Sequence, residues 1–266
     1  MKSTFVVIAC LSFFLAGFVS CTGGNDDARV KSYSAIADKT PDAKTVEVDS
    51  GWTSLFDGKS LAGWHGFNKK GETIKNWDIE DGALTCLGAA KDAHGGDIVS
   101  DGMYDNFEMT WDWKVNVGSN SGVMYHVVEG SKYKAPYETG PEYQIIDDVT
   151  FPEKLEDWQK TGADYAMTVP NDKKKLKAVG EWNSSKLVFD NGRVEHWLNG
   201  EKIVEFQAWA EDWNKKKATG KWKDFPDYGK AKIGGLALQD HGDKVFYKNI
   251  KIHRLPRELP YHKELN

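Results

Sequence analysis

Apolar and polar side chains alternate without a break over residues 107–117. Phe107, Met109, Trp111, Trp113, Val115 and Val117 fall on one face of an extended chain. Glu108, Thr110, Asp112, Lys114 and Asn116 fall on the other. That period of two predicts a half-buried strand. Gly118-Ser119-Asn120-Ser121-Gly122 reads as a turn. A second strand is predicted over 123–128, with Met124, His126 and Val128 on one face and Val123, Tyr125 and Val127 on the other. A short strand over 142–146 puts Glu142 and Gln144 on the same side. The polar stretch 151–177 reads as a long loop.

Segments 186–190 and 193–198 flank Asn191-Gly192, and 203–206 follows Asn199-Gly200. Asn-Gly between apolar runs is a strong hairpin signal, so a three-strand meander is predicted. Segments 231–238 and 244–253 form a closing pair. Residues 207–227 hold Trp209, Trp213, Trp222 and Phe225 among many charges. This pattern fits either a short helix plus loop or a lid. Long helical periodicity and internal repeats are both absent. Short strands punctuated by turns predict an all-β fold, a sandwich or jelly roll of antiparallel sheets.

The N-terminus follows different rules. Lys2 precedes an apolar run over 5–18 that is too short to span a bilayer. Small residues and a cut site follow, as in a signal peptide. Phe18-Val19-Ser20-Cys21 resembles a bacterial lipobox, which makes Cys21 the lipidation site. Residues 1–20 are thus read as signal and 21–49 as a flexible tether, polar and poor in apolar side chains. Residues 50–266 are one domain. Two or more acyl chains on Cys21 would anchor it to the bacterial outer membrane, on the periplasmic or the cell-surface side.

Composition narrows the partners. The net charge of −5 and the absence of a basic stripe argue against nucleic acid. Of three Cys, Cys10 lies in the signal and Cys21 at the lipidation site. Cys86 is left alone, so no disulfide staples the domain, and it is expected to be a buried apolar residue. The 11 Trp suit both a sandwich core and flat platforms for sugar rings; composition does not divide them. Phosphate loops and dinucleotide fingerprints are absent.

The motif series carries a resemblance. Residues Gly51-Trp52-Thr53-Ser54-Leu55-Phe56-Asp57-Gly58 open it, followed by Gly63-Trp64 and Trp77-Asp78-Ile79-Glu80-Asp81-Gly82. Next come Ser119-Asn120-Ser121-Gly122-Val123, Glu142-Tyr143-Gln144-Ile145-Ile146-Asp147 and Gly180-Glu181-Trp182-Asn183. His196-Trp197-Leu198-Asn199-Gly200 and Leu238-Gln239-Asp240-His241-Gly242, ahead of Tyr247-Lys248-Asn249-Ile250, complete it. Each is weak alone; in this order they resemble the 3-keto-disaccharide hydrolase domain family. The resemblance implies a concanavalin A-like jelly roll acting on glycosides whose C3 hydroxyl has become a ketone. A separate sugar 3-oxidoreductase would supply that ketone. One departure is His126, where the family often carries Arg.

A 3-keto group acidifies the hydrogen on C2, so a base can form an enolate that expels the C1 oxygen by β-elimination. Water addition to the product gives net hydrolysis. Such a site needs a base, a donor for the enolate oxygen and an acid for the leaving group. His126 is the first candidate base, Glu142 the second, and His241 a candidate acid or enolate donor. Each also has a bland reading as a satisfied structural or turn residue. Gln144, Lys114, Tyr125, Asp147, Gln239 and Asp240 are candidate substrate contacts, and His94 sits in a loop that would rim the site. No metal cluster has structural zinc spacing; Asp147-Asp148 is a weak Ca²⁺ signal, and no cofactor is expected. Two alternatives stay open. One is a non-catalytic carbohydrate-binding module. The other is a conventional glycosidase, although Glu142 and Asp147 would lie on alternate faces of a strand.

Overall fold

A computed structural model describes residues 51–88 and 96–257. The signal segment, Cys21, the tether and His94 lie outside the described residues. Two antiparallel sheets and one helix make up the fold. The strands are β1 (Thr53–Ser54), β2 (Trp64–Gly66), β3 (Trp77–Glu80), β4 (Ala83–Leu87), β5 (Ile98–Ser100), β6 (Phe107–Val115) and β7 (Asn120–Val127). They continue with β8 (Glu142–Ile146), β9 (Asn183–Asp190), β10 (Arg193–Leu198), β11 (Glu201–Gln207), β12 (Gly235–Leu238) and β13 (Lys244–Arg254). Helix α1 spans Glu211–Thr219. The larger sheet runs β11-β10-β9-β6-β13-β4-β3, with β1 also on β13, and the smaller runs β2-β5-β12-β7-β8. This is the two-layer sandwich expected of a jelly roll.

The core lies between the sheets. Phe107, Met109, Trp111, Trp113 and Val115 of β6 pack there against Val123, Tyr125, Tyr143 and Ile145 from the smaller sheet. The predicted alternation therefore holds over β6, but Val117 is 74% exposed because the chain turns away after Val115. Conversely, Asn120–Gly122 belongs to β7 and not to a turn, since Gly122 pairs with Gln144. Two hydroxyl bridges cross the core. Tyr143 and Ser185 meet at 2.9 Å, and Ser121 and Tyr247 at 2.7 Å. The meander forms as expected: Asn191, Gly192, Asn199 and Gly200 all have positive φ, which paired two-residue turns require.

One local irregularity overturns the expected face of His126. Between β7 and β12 the register shifts: Gly235 pairs with Val127 but Ala237 pairs with Met124, so β7 carries an extra residue. That residue pair includes His126, whose φ is +54°. A bulge of this kind re-aims a side chain. The His126 ring turns into the core, 4.2 Å from the Phe189 ring centroid, and its Nε2 donates to the Asp105 carbonyl at 2.8 Å. Burial pushes it down to about 4, so it stays neutral. Tyr125 is also fully buried, among Phe189 and His196. Lys114 is on the polar face of β6, which is the outer surface of the larger sheet, with its ammonium 4.3 Å from the Phe246 ring and 5.1 Å from Trp182.

His126→Ala should therefore lose stability through a core cavity, by about 3 kcal/mol, readable in a denaturant titration. An unchanged midpoint would contradict the packed placement. His126 and His196, both depressed to about 4 by burial, also predict loss of stability as pH falls from about 6.5 toward 4. The unfolded chain takes up those protons earlier than the fold does.

Candidate active site

The smaller sheet presents its outer face to a cleft of about 290 Å³. Alternation along β8 sends Tyr143 and Ile145 into the core and Glu142 and Gln144 outward. Asn120 of β7, Gln239 just after β12 and His241 in the following turn join them. The walls are aromatic. Tyr137 lies in a short 3-10 turn, Pro136–Glu138, and Tyr165 in the long loop. Lys221, Trp222 and Phe225 come from the segment after α1. That segment is a helix plus a 3-10 turn, Lys221–Asp224, and it forms one wall. Trp213 and Trp222 stack on Tyr228 with centroids 6.2 and 4.2 Å apart, which fixes the wall to the domain.

Glu142 is the chemically distinctive group. It is 4% exposed, and its side chain makes no hydrogen bond among the described residues. Its carboxyl lies across Gly122: a Cβ built there would sit 1.9 Å from Glu142 Oε1. Any side chain at position 122 would displace the carboxyl, which explains the glycine. Burial raises the Glu142 carboxyl to about 8, opposed by the Lys221 cation and assisted by the Asp97 charge. Lys221 is exposed at the mouth, its Nζ 4.1 Å from the Tyr165 ring and 5.2 Å from Trp222. The floor is rich in amides. Gln144 Oε1 accepts from the Ile145 N–H at 3.1 Å. Asn120 Oδ1 and Gln239 Oε1 are buried without partners among the described residues, and both side chains line the cleft.

Of the residues singled out in the sequence, the fold brings Glu142, Gln144, Gln239 and His241 into the cleft. It leaves the others elsewhere. His126 and Tyr125 are in the core and Lys114 is on the opposite sheet. Asp147 closes a turn, accepting from Gly118, Val149 and Thr150 N–H at 2.8–2.9 Å and from the Thr150 hydroxyl. Asp148 pairs with Lys174. Asp240 holds the turn that carries His241. Its oxygens accept from Asn76 at 2.8 Å, Gly242 N at 3.0 Å, Gly96 N at 3.1 Å and the Cys86 thiol at 3.4 Å. Cys86 is fully buried, and burial keeps the thiol protonated. Lys221, Asn120, Tyr137 and Tyr165 were missed, whereas Trp222 and Phe225 fall in the segment read as a helix plus loop or a lid. Lys221 is one Lys among many, with no periodicity to mark it.

A family model described as the 3-keto-alpha-glucoside-1,2-lyase-like domain matches residues 51–253. The chain belongs to that family. The 3-keto-disaccharide hydrolase of Bacteroides thetaiotaomicron is 31% identical over an alignment of 289 positions, spanning 95% of this chain and 99% of that one. A crystal structure of a glycosyl hydrolase candidate from Parabacteroides distasonis is 50% identical, with a TM-score of 0.72, over 77% of this chain and 94% of that one. A second from the same organism is 27% identical, with a TM-score of 0.60, over 77% and 100%.

The raised carboxyl predicts a stability effect with a defined sign. In the unfolded chain Glu142 ionises from about 4.5, but in the fold not until about 8. The family member therefore loses stability as pH climbs through that window, and Gln does not. Glu142→Gln should melt higher at pH 8 by at least about 1 kcal/mol, or roughly 2–4 °C. The difference should vanish near pH 4.5. Equal melting at pH 8 would contradict the buried, unpaired carboxyl.

Proposed function

We propose that the protein cleaves 3-keto-glycosides. Glu142 removes the C2 proton, the enolate expels the C1 oxygen, and water addition to the product gives net hydrolysis. The observation that carries this reading is the buried, unpartnered Glu142 carboxyl in an aromatic cleft beside Lys221. A base for carbon acids works best with a value near the operating pH, and burial raises this one into that range. Lys221 is the cation nearest in effect to the base, and it offsets negative charge as the enolate forms. Gln144, Asn120 and Gln239 bind sugar hydroxyls, and the aromatic walls take the C–H faces of the ring. His241, exposed at the rim, contacts the aglycone. The family and its named relatives support this substrate class. A lipid anchor on Cys21 and a separate sugar 3-oxidoreductase belong to the same proposal.

The test is aglycone release and C2–H exchange by NMR, on a 3-keto-glucoside and its unoxidised parent. The protein should act on the keto form alone, and Glu142→Gln should lose at least about 100-fold in both signals. Ligand-induced shifts with no turnover by the parent protein would instead favour a carbohydrate-binding module. Lys221→Gln should lower kcat more than it raises KM, because its charge is needed when the enolate forms. A change confined to KM would remove Lys221 from the chemistry.

A further inference from the structure

The register of the smaller sheet brings a second carboxyl into line with Glu142. Leu238 pairs with Ile98 of β5 and with Val123 of β7. One step further, Gln239 stands opposite Asp97 on one side and Gly122 on the other, and its N–H donates to the Gly122 carbonyl at 3.0 Å. Gly122 in turn pairs with Gln144. Asp97, Gln239, Gly122 and Gln144 thus form one row across four strands. Ile98 points into the core and Val99 outward, so alternation puts Asp97 on the outer, cleft-side face. The gap in the row above Gly122 is filled by the Glu142 carboxyl. The two carboxyls are therefore about two strand spacings apart, roughly 9 Å. A pyranose ring fits between groups set that far apart, as it does between the acid and base of other glycoside-cleaving sites.

Asp97 is held for this position. Its Oδ1 accepts from the Asp240 N–H at 2.8 Å, and its Oδ2 makes no hydrogen bond among the described residues. From this geometry we infer that Asp97 is the proton donor to the departing aglycone, and that Glu142 and Asp97 act as a base and acid pair from opposite ends of the row. The inference rests on the 3-keto-glycoside reading. The assignment of roles follows from neighbours. Glu142 faces the Lys221 cation, which favours its ionised form. Asp97 is raised to about 7, by burial first and then by the Asp240 charge, against the Asp240 N–H. Both carboxyls are raised toward neutrality, Glu142 to about 8 and Asp97 to about 7, so the pair shares protons in that range, and Asp97, at the opposite end of the row from Glu142, is placed to donate one.

The steps balance. Glu142 takes the C2 proton, and the C2–H electron pair forms the enolate. The enolate re-forms the C3 carbonyl and a C1–C2 double bond as the C1–O bond breaks. That oxygen takes the Asp97 proton and leaves as an alcohol. When water adds at C1, Asp97 accepts a water proton and Glu142 returns its proton to C2, so both groups end as they began.

The test compares the parent protein, Asp97→Asn and Glu142→Gln on methyl and 4-nitrophenyl 3-keto-glucosides. Asn retains the oxygen that accepts from Asp240. Methoxide needs a proton to leave, whereas 4-nitrophenoxide is a stable anion. Asp97→Asn should therefore lose on the order of 100-fold in methanol release but less than about tenfold in 4-nitrophenol release. It should also keep C2–H exchange, which Glu142→Gln should lose. Equal losses with both aglycones, or loss of exchange in Asp97→Asn, would overturn the acid role while leaving the 3-keto-glycoside reading in place. A parent protein inactive on both substrates would overturn that reading and the acid role with it. A second measurement covers a variant that does not fold. Across aglycones of graded acidity, the parent protein's rate should change little; a steep dependence would mean that no acid assists departure.

Discussion

The cleft depends on the desolvation of one carboxyl, that of Glu142. The Glu142 carboxyl lies over Gly122 with no hydrogen-bond partner among the described residues. A buried polar group without a partner costs free energy, so the surrounding structure must hold it there. Two core hydroxyl bridges do this. Tyr143 and Ile145 flank the strand position that exposes Gln144, and the Tyr143 hydroxyl is tied to Ser185 on the opposite sheet. On β7, Ser121 is tied to Tyr247 of β13, while the neighbouring Gly122 opens the space. Neither strand can rotate to relieve Glu142 without breaking one of these contacts. The resulting high carboxyl value is both a stability cost and the property a carbon-acid base requires.

The aromatic side chains divide by location. Trp64, Trp77, Trp111 and Trp113 fill the core between the sheets. Trp213 and Trp222 join Tyr228 in the stack that supports the cleft wall. Trp182 and Trp197 lie on the outer surface of the larger sheet beneath lysine side chains. Only the second group bears on the cleft. It fixes the 3-10 turn that presents Lys221, so this cation, which acts on Glu142, is carried by packing rather than by an ion pair. An ion pair would neutralise the charge; a ring beneath the ammonium leaves it available.

Different charges then act on the two carboxyls of the row. Lys221 acts on Glu142 and the Asp240 charge acts on Asp97. Asp240 does not face the cleft, yet it serves it twice. It fixes the turn that carries His241, and its backbone N–H positions Asp97.

The chain's alternation over β6, its paired Asn-Gly turns and the shared side of Glu142 and Gln144 were all readable in one dimension. Each depends only on neighbours along the strand or on residues at a turn. The ordered motif series further carried the family. Alternation defines two faces of a strand but not which one meets the partner sheet or a cleft. Hence Lys114 lies on the outside of the larger sheet, away from the cleft, and His126 was turned inward by a bulge set by its pairing with β12. Asp97 and Lys221 stood out only as members of the loop that would rim the site and of the segment 207–227. Asp97 reaches the row through cross-strand register, and Lys221 reaches the mouth through the Trp213, Tyr228 and Trp222 stack. By itself the sequence determined the sandwich and the side of its strand on which Glu142 lies, because these follow from local periodicity. Only the tertiary structure decided which charges surround Glu142, because register and packing join residues that are distant along the chain.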